Sequence, residues 1–187
     1  MNKKTKVNAA ILIIGNEILS GRTQDTNTST LATWLNSIGV KVNEVRVIPD
    51  VEKTIIDTIN VLREENNYVF TTGGIGPTHD DITASSVSKA FGVKYEIHKE
   101  AYKILEAYYK TGEFNEGRQR MVWMPEKAEL ILNPTSGAPG FSVDNVFCLP
   151  GVPSILKSML GSLKNKIVGG EPILSHTISL KTVESEI

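Results

Sequence analysis

The chain has 187 residues, 40% of them hydrophobic, which is enough to bury one core and sits at the usual size of a single domain. Twenty basic and 21 acidic residues leave a formal net charge of -1, so no global field favours nucleic acid or an anionic membrane surface, and any anion must be bound locally. A single cysteine, Cys148, excludes an internal disulfide, and no apolar run has the length of a membrane span or the layout of a signal peptide, so the expectation is a cytosolic protein.

Residues 1–6 read as a polar, solvated tail. Residues 9–14, Ala-Ala-Ile-Leu-Ile-Ile, form a continuous apolar run closed by glycine, the pattern of a parallel strand covered on both faces. Leu31, Trp34, Leu35 and Ile38 then make a helical stripe over 30–38 that Gly39 stops. Residues 40–47 alternate as a less buried strand, and 52–64 have helical spacing through Ile55, Ile56, Ile59 and Leu62. Residues 68–72 are a third strand running into glycines, followed by helices over 82–91 and 99–109. The pattern weakens over 112–140, a small subdomain or excursion with a strand at 129–132. It returns as a buried strand at 146–149 and a helix over about 154–163. The tail from 171 to 187 alternates weakly, as a final strand would. Repeated strand-helix units predict one α/β domain over 1–187 with a mostly parallel sheet and right-handed crossovers.

The strongest candidate site is the segment Thr72-Gly73-Gly74-Ile75-Gly76-Pro77-Thr78-His79-Asp80-Asp81, with Thr83 just beyond, between a strand and a helix. In open α/β sheets ligands bind beyond the carboxyl ends of strands, where glycines admit close backbone approach and helix N-termini offer N–H groups to phosphate. Turn formation by the glycines, with Asp80 or Asp81 capping the next helix, is the purely structural alternative, and Asp81 alone reads equally as a cap or as a functional carboxylate. Two adjacent carboxylates beside a phosphate would repel it without a cation between them, so the pair suggests a Mg²⁺-like ion held by Asp80, Asp81 and Glu17. A second segment on the same edge is Gly15-Asn16-Glu17 with Asp25-Thr26-Asn27: Glu17 and Asp25 are candidate ligand or metal contacts and Asn27 a candidate polar reader, against capping for Asp25 and Asn27. Asp50, after Pro49, is either an N-cap or a third strand-end carboxylate able to orient a water. The 136–140 and 149–153 turns would shape a pocket wall. Cys148 reads as core, His79 as a solvated loop residue, and His98 and His176 lack zinc-ligand spacing.

Together with Met124-Pro125, Ala138-Pro139-Gly140 and Leu149-Pro150-Gly151-Val152-Pro153, these segments resemble the MoaB/Mog molybdopterin-binding family. Within it they are most similar to the amino-terminal domain of the competence-damage-inducible CinA proteins. The resemblance runs over most of the chain in family order, and the Thr-Gly-Gly-x-Gly-Pro-Thr-x-Asp-Asp-x-Thr match is highly specific. It implies a three-layer α/β/α sandwich that assembles as a homo-oligomer, dimer or trimer. Its strand-end pocket would take molybdopterin or a nucleotide, with Asp50, Asp80 and Asp81 in the chemistry. Gly15, Glu17, Asp25, Asn27, Thr72, Gly73, Gly74, Gly76, Pro77, Thr78 and Thr83 would lie around the ligand. The family divides between two activities, metal-dependent splitting of a diphosphate such as ADP-ribose or FAD, and pterin binding or molybdopterin adenylylation in cofactor synthesis. Two departures stand out: Asn16 replaces the acidic residue of the usual Gly-Asp-Glu, and a carboxy-terminal amidase domain of full CinA proteins has no room here.

Overall fold

A computed structural model describes residues 7–170; the tail at 1–6, the strand expected within 171–187 and His176 lie outside the described residues. The main sheet contains β1 (Val7–Ile14), β2 (Val40–Ile48), β3 (Tyr68–Thr72), β6 (Glu129–Ile131), β7 (Gly140–Val143) and β8 (Val146–Leu149), in the order β2-β1-β3-β8-β7-β6. β2, β1, β3 and β8 run parallel, and β7 pairs antiparallel with both β8 and β6. A separate two-stranded antiparallel ribbon joins β4 (Tyr95–Ile97) to β5 (Trp123–Pro125).

Alternation along the central strand divides the interior into two layers. Ala10, Leu12 and Ile14 face α3 (Glu52–Glu65) and α4 (Thr83–Phe91), while Ala9, Ile11 and Ile13 face α2 (Asn27–Ser37) and α7 (Pro153–Leu163). Both faces of β1 are therefore dry, which explains its unbroken apolar run. On the α2/α7 side, Phe70 stacks on Phe147 at 5.1 Å and meets the edge of Trp34 at 6.3 Å. β2 is an edge strand, and its alternating burial matches its alternating sequence. The three-layer α/β/α architecture with a mostly parallel sheet is as expected.

The boundaries that differ have local causes. α2 begins at Asn27, three residues before the apolar stripe, because the Asp25 carboxylate accepts the N–H groups of Asn27 and Thr28 and so extends the helix into a polar stretch. A single helical turn, α1 (Asn16–Leu19), occupies a segment expected to be loop. The helix expected over 99–109 is α5 (Lys99–Tyr108), but the region around it is more structured than its sequence suggests: besides β4 and β5 it contains α6 (Glu116–Gln119) and a 3-10 turn at Arg120–Val122. Ala101, Leu105, Val122 and Met124 from this region enter the same apolar cluster as α3 and α4. His98 caps α5 by accepting the Ala101 N–H, and its other ring nitrogen lies 3.1 Å from the Ala128 carbonyl oxygen, so both nitrogens are used structurally.

Candidate functional site

Strand order reverses between β1 and β3: the chain leaves β1 toward β2 on one side and leaves β3 toward β8 on the other. A crevice opens at the carboxyl ends of two such strands, where backbone does not cross over. Two hydrogen bonds align the turns around it, from the Gly15 N–H to the Ile48 carbonyl (3.2 Å) and from the Gly73 N–H to the Leu149 carbonyl (3.1 Å). The first brings Asp50 beside α1, where its carboxylate accepts the Asn16 N–H at 2.9 Å. The second brings the 149–153 turn against the glycine loop, and Asn27 fixes that turn by donating from Nδ2 to the Gly151 carbonyl at 2.7 Å.

The glycine loop is held by its neighbours at one end. Gly73 and Gly74 have φ of 98° and 67°, and a Cβ on Gly73 would strike the Ile14 carbonyl oxygen, so the sheet end itself demands glycine there. Thr83, fully buried, donates its hydroxyl to the Gly73 carbonyl (3.0 Å) and its N–H to the Gly74 carbonyl (2.9 Å). Among the described residues, the N–H groups of Gly74, Ile75 and Gly76 find no acceptor. The other end closes on itself. Asp81 accepts the Thr78 N–H at 2.8 Å, and the Thr78 hydroxyl lies between a carboxylate oxygen of Asp80 (2.6 Å) and one of Asp81.

A cleft of about 480 Å³ opens over this loop. Its polar wall contains Glu17, Gly73, Gly74, Gly76, Pro77 and Asp81, and Ile75, Met121, Pro139, Val152 and Ile155 supply apolar wall. Among the described residues no lysine or arginine lines it. A smaller hollow of about 60 Å³ adjoins it through Glu17, Thr23, Gly73, Gly151 and Pro153, and is bounded by Asp25, Asn27 and Thr72. Among the described residues the Asn27 Oδ1 is buried without a partner there. Asp50 and Asp80, both expected in the chemistry, are not among the lining residues of the cleft or of the smaller hollow. Burial raises the Asp50 carboxyl above the usual aspartate range, and the charges of Glu17 and Asp80 push it further, against the Asn16 N–H. Asp80 is held below that range, chiefly by the Thr78 hydroxyl.

Several expected roles change in this geometry. Neither Asp80 nor Asp81 caps α4, whose N-cap is Ile82 without a side-chain bond, because both carboxylates turn back to Thr78. Asp50 does not cap α3, whose N-cap is Val51. Thr83 and Gly15 lie outside the cleft wall: Thr83 stitches the loop from beneath, and the Glu17 carboxylate lies over Gly15, where a Cβ would come within 2.7 Å of it. The Asn16 side chain is exposed and also outside the wall, so the missing carboxylate subtracts nothing from the cleft lining. Among the described residues no three His, Cys, Asp or Glu side chains assemble as a metal-binding group, so Glu17, Asp80 and Asp81 are not a ready-made coordination shell. Their hard oxygen donors nevertheless suit Mg²⁺, which is bound through one or two carboxylates together with ligand phosphates and water. Cys148 is buried in β8 and its thiol is pushed up to about 12 by burial, which removes it as a nucleophile. Met121, Asn133 and Ile155 enter the wall without any local signal of function, because irregular segments from distant parts of the chain deliver them.

Residues 10–174 match a family model described as "Probable molybdopterin binding domain". A protein of Archaeoglobus fulgidus is 35% identical over 161 residues, covering 86% of this chain and 69% of that one. A protein of Pyrobaculum arsenaticum is 36% identical over 172 residues, covering 89% and 63%, and one of Saccharolobus islandicus 33% over 184 residues, covering 95% and 70%. The chain thus spans part of the length of these relatives. Among solved structures, the protein CinA with unknown function from Thermoplasma acidophilum superposes with a TM-score of 0.80 at 30% identity, over 87% of this chain and 99% of that one. The molybdopterin biosynthesis enzyme MoaB of Thermus thermophilus gives 0.57 at 16% identity, over 84% and 89%, a likeness of fold alone. Among the described residues no helix is long and apolar enough to cross a membrane.

Proposed function

The chain belongs to the molybdopterin-binding domain family and is CinA-like within it, and from that premise we propose that it binds a diphosphate-bearing small molecule on the glycine loop and hydrolyses the diphosphate with a divalent cation. One observation carries this reading: Gly74, Ile75 and Gly76, whose N–H groups find no acceptor among the described residues, line a cleft that has carboxylates at Glu17 and Asp81 and, among the described residues, no basic side chain. Amides in a row attract phosphate oxygens, whereas the carboxylates repel them unless a cation is bound with the ligand. Such a cation, shared between ligand and protein, would be held by Asp81, Glu17 and Asp80, and when bound it neutralises charge and polarises the phosphoryl oxygens.

The chain's own residues divide the remaining work. The loop amides hold the phosphate oxygens where negative charge develops. Asp50, whose carboxyl is raised by burial and by the Glu17 charge beside the loop, would take a proton from an attacking water. The water oxygen bonds to phosphorus, the bridging oxygen departs with the electron pair of the broken P–O bond, and two phosphomonoesters result. Product release from ADP-ribose, FAD and NAD, with and without Mg²⁺, tests this. Turnover that requires the metal and falls at least 100-fold in Asp81→Asn is expected. A variant with unchanged rate overturns the assignment.

The apolar half of the wall, through Ile75, Met121, Pro139, Val152 and Ile155, favours a second reading in which the cleft holds molybdopterin without cleaving it or presents it for adenylylation. Molybdopterin binding with no metal-dependent product release would select the first of these, and ATP consumption on molybdopterin addition the second. Homo-oligomerisation as a dimer or trimer, and residence in the cytosol, complete the proposal; light scattering and fractionation test them.

A further inference from the structure

The β4–β5 ribbon places an aromatic face beside the far end of the glycine loop. Alternation directs Met124 into the core and leaves Tyr95, Ile97 and Trp123 on the opposite, outer face. Tyr95 and Trp123 are each 39% exposed although their rings meet at 5.5 Å, tilted by 43°. Beside them a hollow of about 330 Å³ is lined by Tyr95, Trp123, Arg120, Thr78 and Asp81. Arg120 comes from the 3-10 turn just before β5, and among the described residues its guanidinium makes no ion pair and no side-chain hydrogen bond. Among the described residues it is the sole lysine or arginine lining any of the hollows around the glycine loop. The hollow adjoins the site: a gap of about 10 Å³ shares Gly76, Asp81 and Met121 with the wall of the main cleft and Tyr95, Arg120, Trp123 and Asp81 with this hollow.

We propose that Tyr95, Trp123 and Arg120 form a subsite for a planar base, stacking it while the attached diphosphate lies on the glycine loop. This rests on the loop being the phosphate cradle. Two compartments then meet at Asp81, and the ligand class they fit is a diphosphate with an organic group at each end, one over the aromatic pair and the other in the apolar cleft. Exposed aromatic rings are sequence-tolerant stacking platforms, and a free guanidinium beside them either stacks on a base or donates to its ring acceptors, in a wall that among the described residues has no other positive charge. Ordinary surface aromatics would be scattered rather than paired beside an uncompensated arginine and a carboxylate of the loop.

Calorimetric titration of the full chain in Mg²⁺ with ADP and, separately, with inorganic pyrophosphate tests the subsite in wild type, Trp123→Ala, Trp123→Phe and Arg120→Gln. Trp123→Ala is expected to weaken ADP binding about tenfold, the order of one base–aromatic stack, while pyrophosphate affinity stays within twofold. Trp123→Phe restores most of the loss, and Arg120→Gln weakens ADP more than pyrophosphate. Equal losses for both ligands, or an ADP affinity unchanged by Trp123→Ala, overturn the subsite, as does a wild-type protein that prefers pyrophosphate to ADP. If ADP binds with the Trp123 dependence but pyrophosphate does not bind at all, the phosphate cradle fails and the base subsite stands.

Discussion

The two ends of the glycine loop are built on different principles. At the Gly73–Gly74 end every constraint comes from outside the loop: the Ile14 carbonyl crowds Gly73, the Leu149 carbonyl takes its N–H, and Thr83 returns from α4 to hold both glycine carbonyls. At the Thr78–Asp81 end the contacts are internal, one threonine bonded to two carboxylates within three residues, and Pro77, Thr78, His79 and Asp80 are exposed. The first end is a rigid product of the sheet and presents amides; the second is a surface feature and presents charge. Stability should therefore be sensitive at one end and ligand chemistry at the other.

The sharpest way to break that contrast is Gly73→Ala. A methyl at φ 98° against the Ile14 carbonyl should cost about 3 kcal/mol in urea unfolding, since neither the strand end nor the backbone oxygen can retreat. A loss below 1 kcal/mol would mean that the sheet end does not constrain the loop. Thr83→Val removes one hydroxyl and leaves a carbonyl short of its donor beneath the loop. It should cost about 2 kcal/mol, with Thr83→Ser retaining most of the stability; equal losses in both would assign the effect to the methyl instead. Asp81→Asn keeps an acceptor for the Thr78 N–H on an accessible surface, so its unfolding free energy should stay within about 0.5 kcal/mol of wild type even as metal-dependent turnover is lost. A large loss of stability there would place Asp81 with the rigid end.

The smallest effect expected is in the pH dependence of the ligand-free protein. Folding raises the Asp50 carboxyl, so the protonated form is the one the fold favours. Its stabilising contribution is complete below the ordinary aspartate range and is lost as pH rises through the raised value. Asp50→Asn preserves an acceptor for the Asn16 N–H and should flatten that part of the stability–pH curve. A curve identical to wild type would mean that burial and the neighbouring carboxylates do not act on Asp50.

Much of the first end was legible in the sequence. The unbroken apolar run of β1 and the aliphatic spacing of α3 report directly on burial, because a strand covered on both faces and a half-covered helix each impose their own period. The glycine pair after β3 likewise announces a turn at a strand end. The second end left local reasoning undecided: an aspartate just before a helix reads equally as its cap or as a functional carboxylate, and it is Thr78 that engages both Asp80 and Asp81 while Ile82 caps the helix. The ribbon carrying Tyr95 and Trp123 gave no periodic signal, although Met124-Pro125 within it belongs to the family resemblance. Each of its strands has three residues, too short for a period, and they are separated by the helices of the 99–119 segment.

The sequence by itself determined the α/β architecture, the strand-end position of the glycine loop and the family to which the chain belongs, because periodicity and an uncommon twelve-residue motif are local properties. The tertiary structure alone decided which of the marked residues line the cleft, that Asp50 meets Asn16 across two strand ends, and that Arg120 and an aromatic pair come to the far side of Asp81. Those arrangements depend on how turns separated by tens of residues are brought together by the register of the sheet, and register is a property of strand pairing that no single stretch of chain contains.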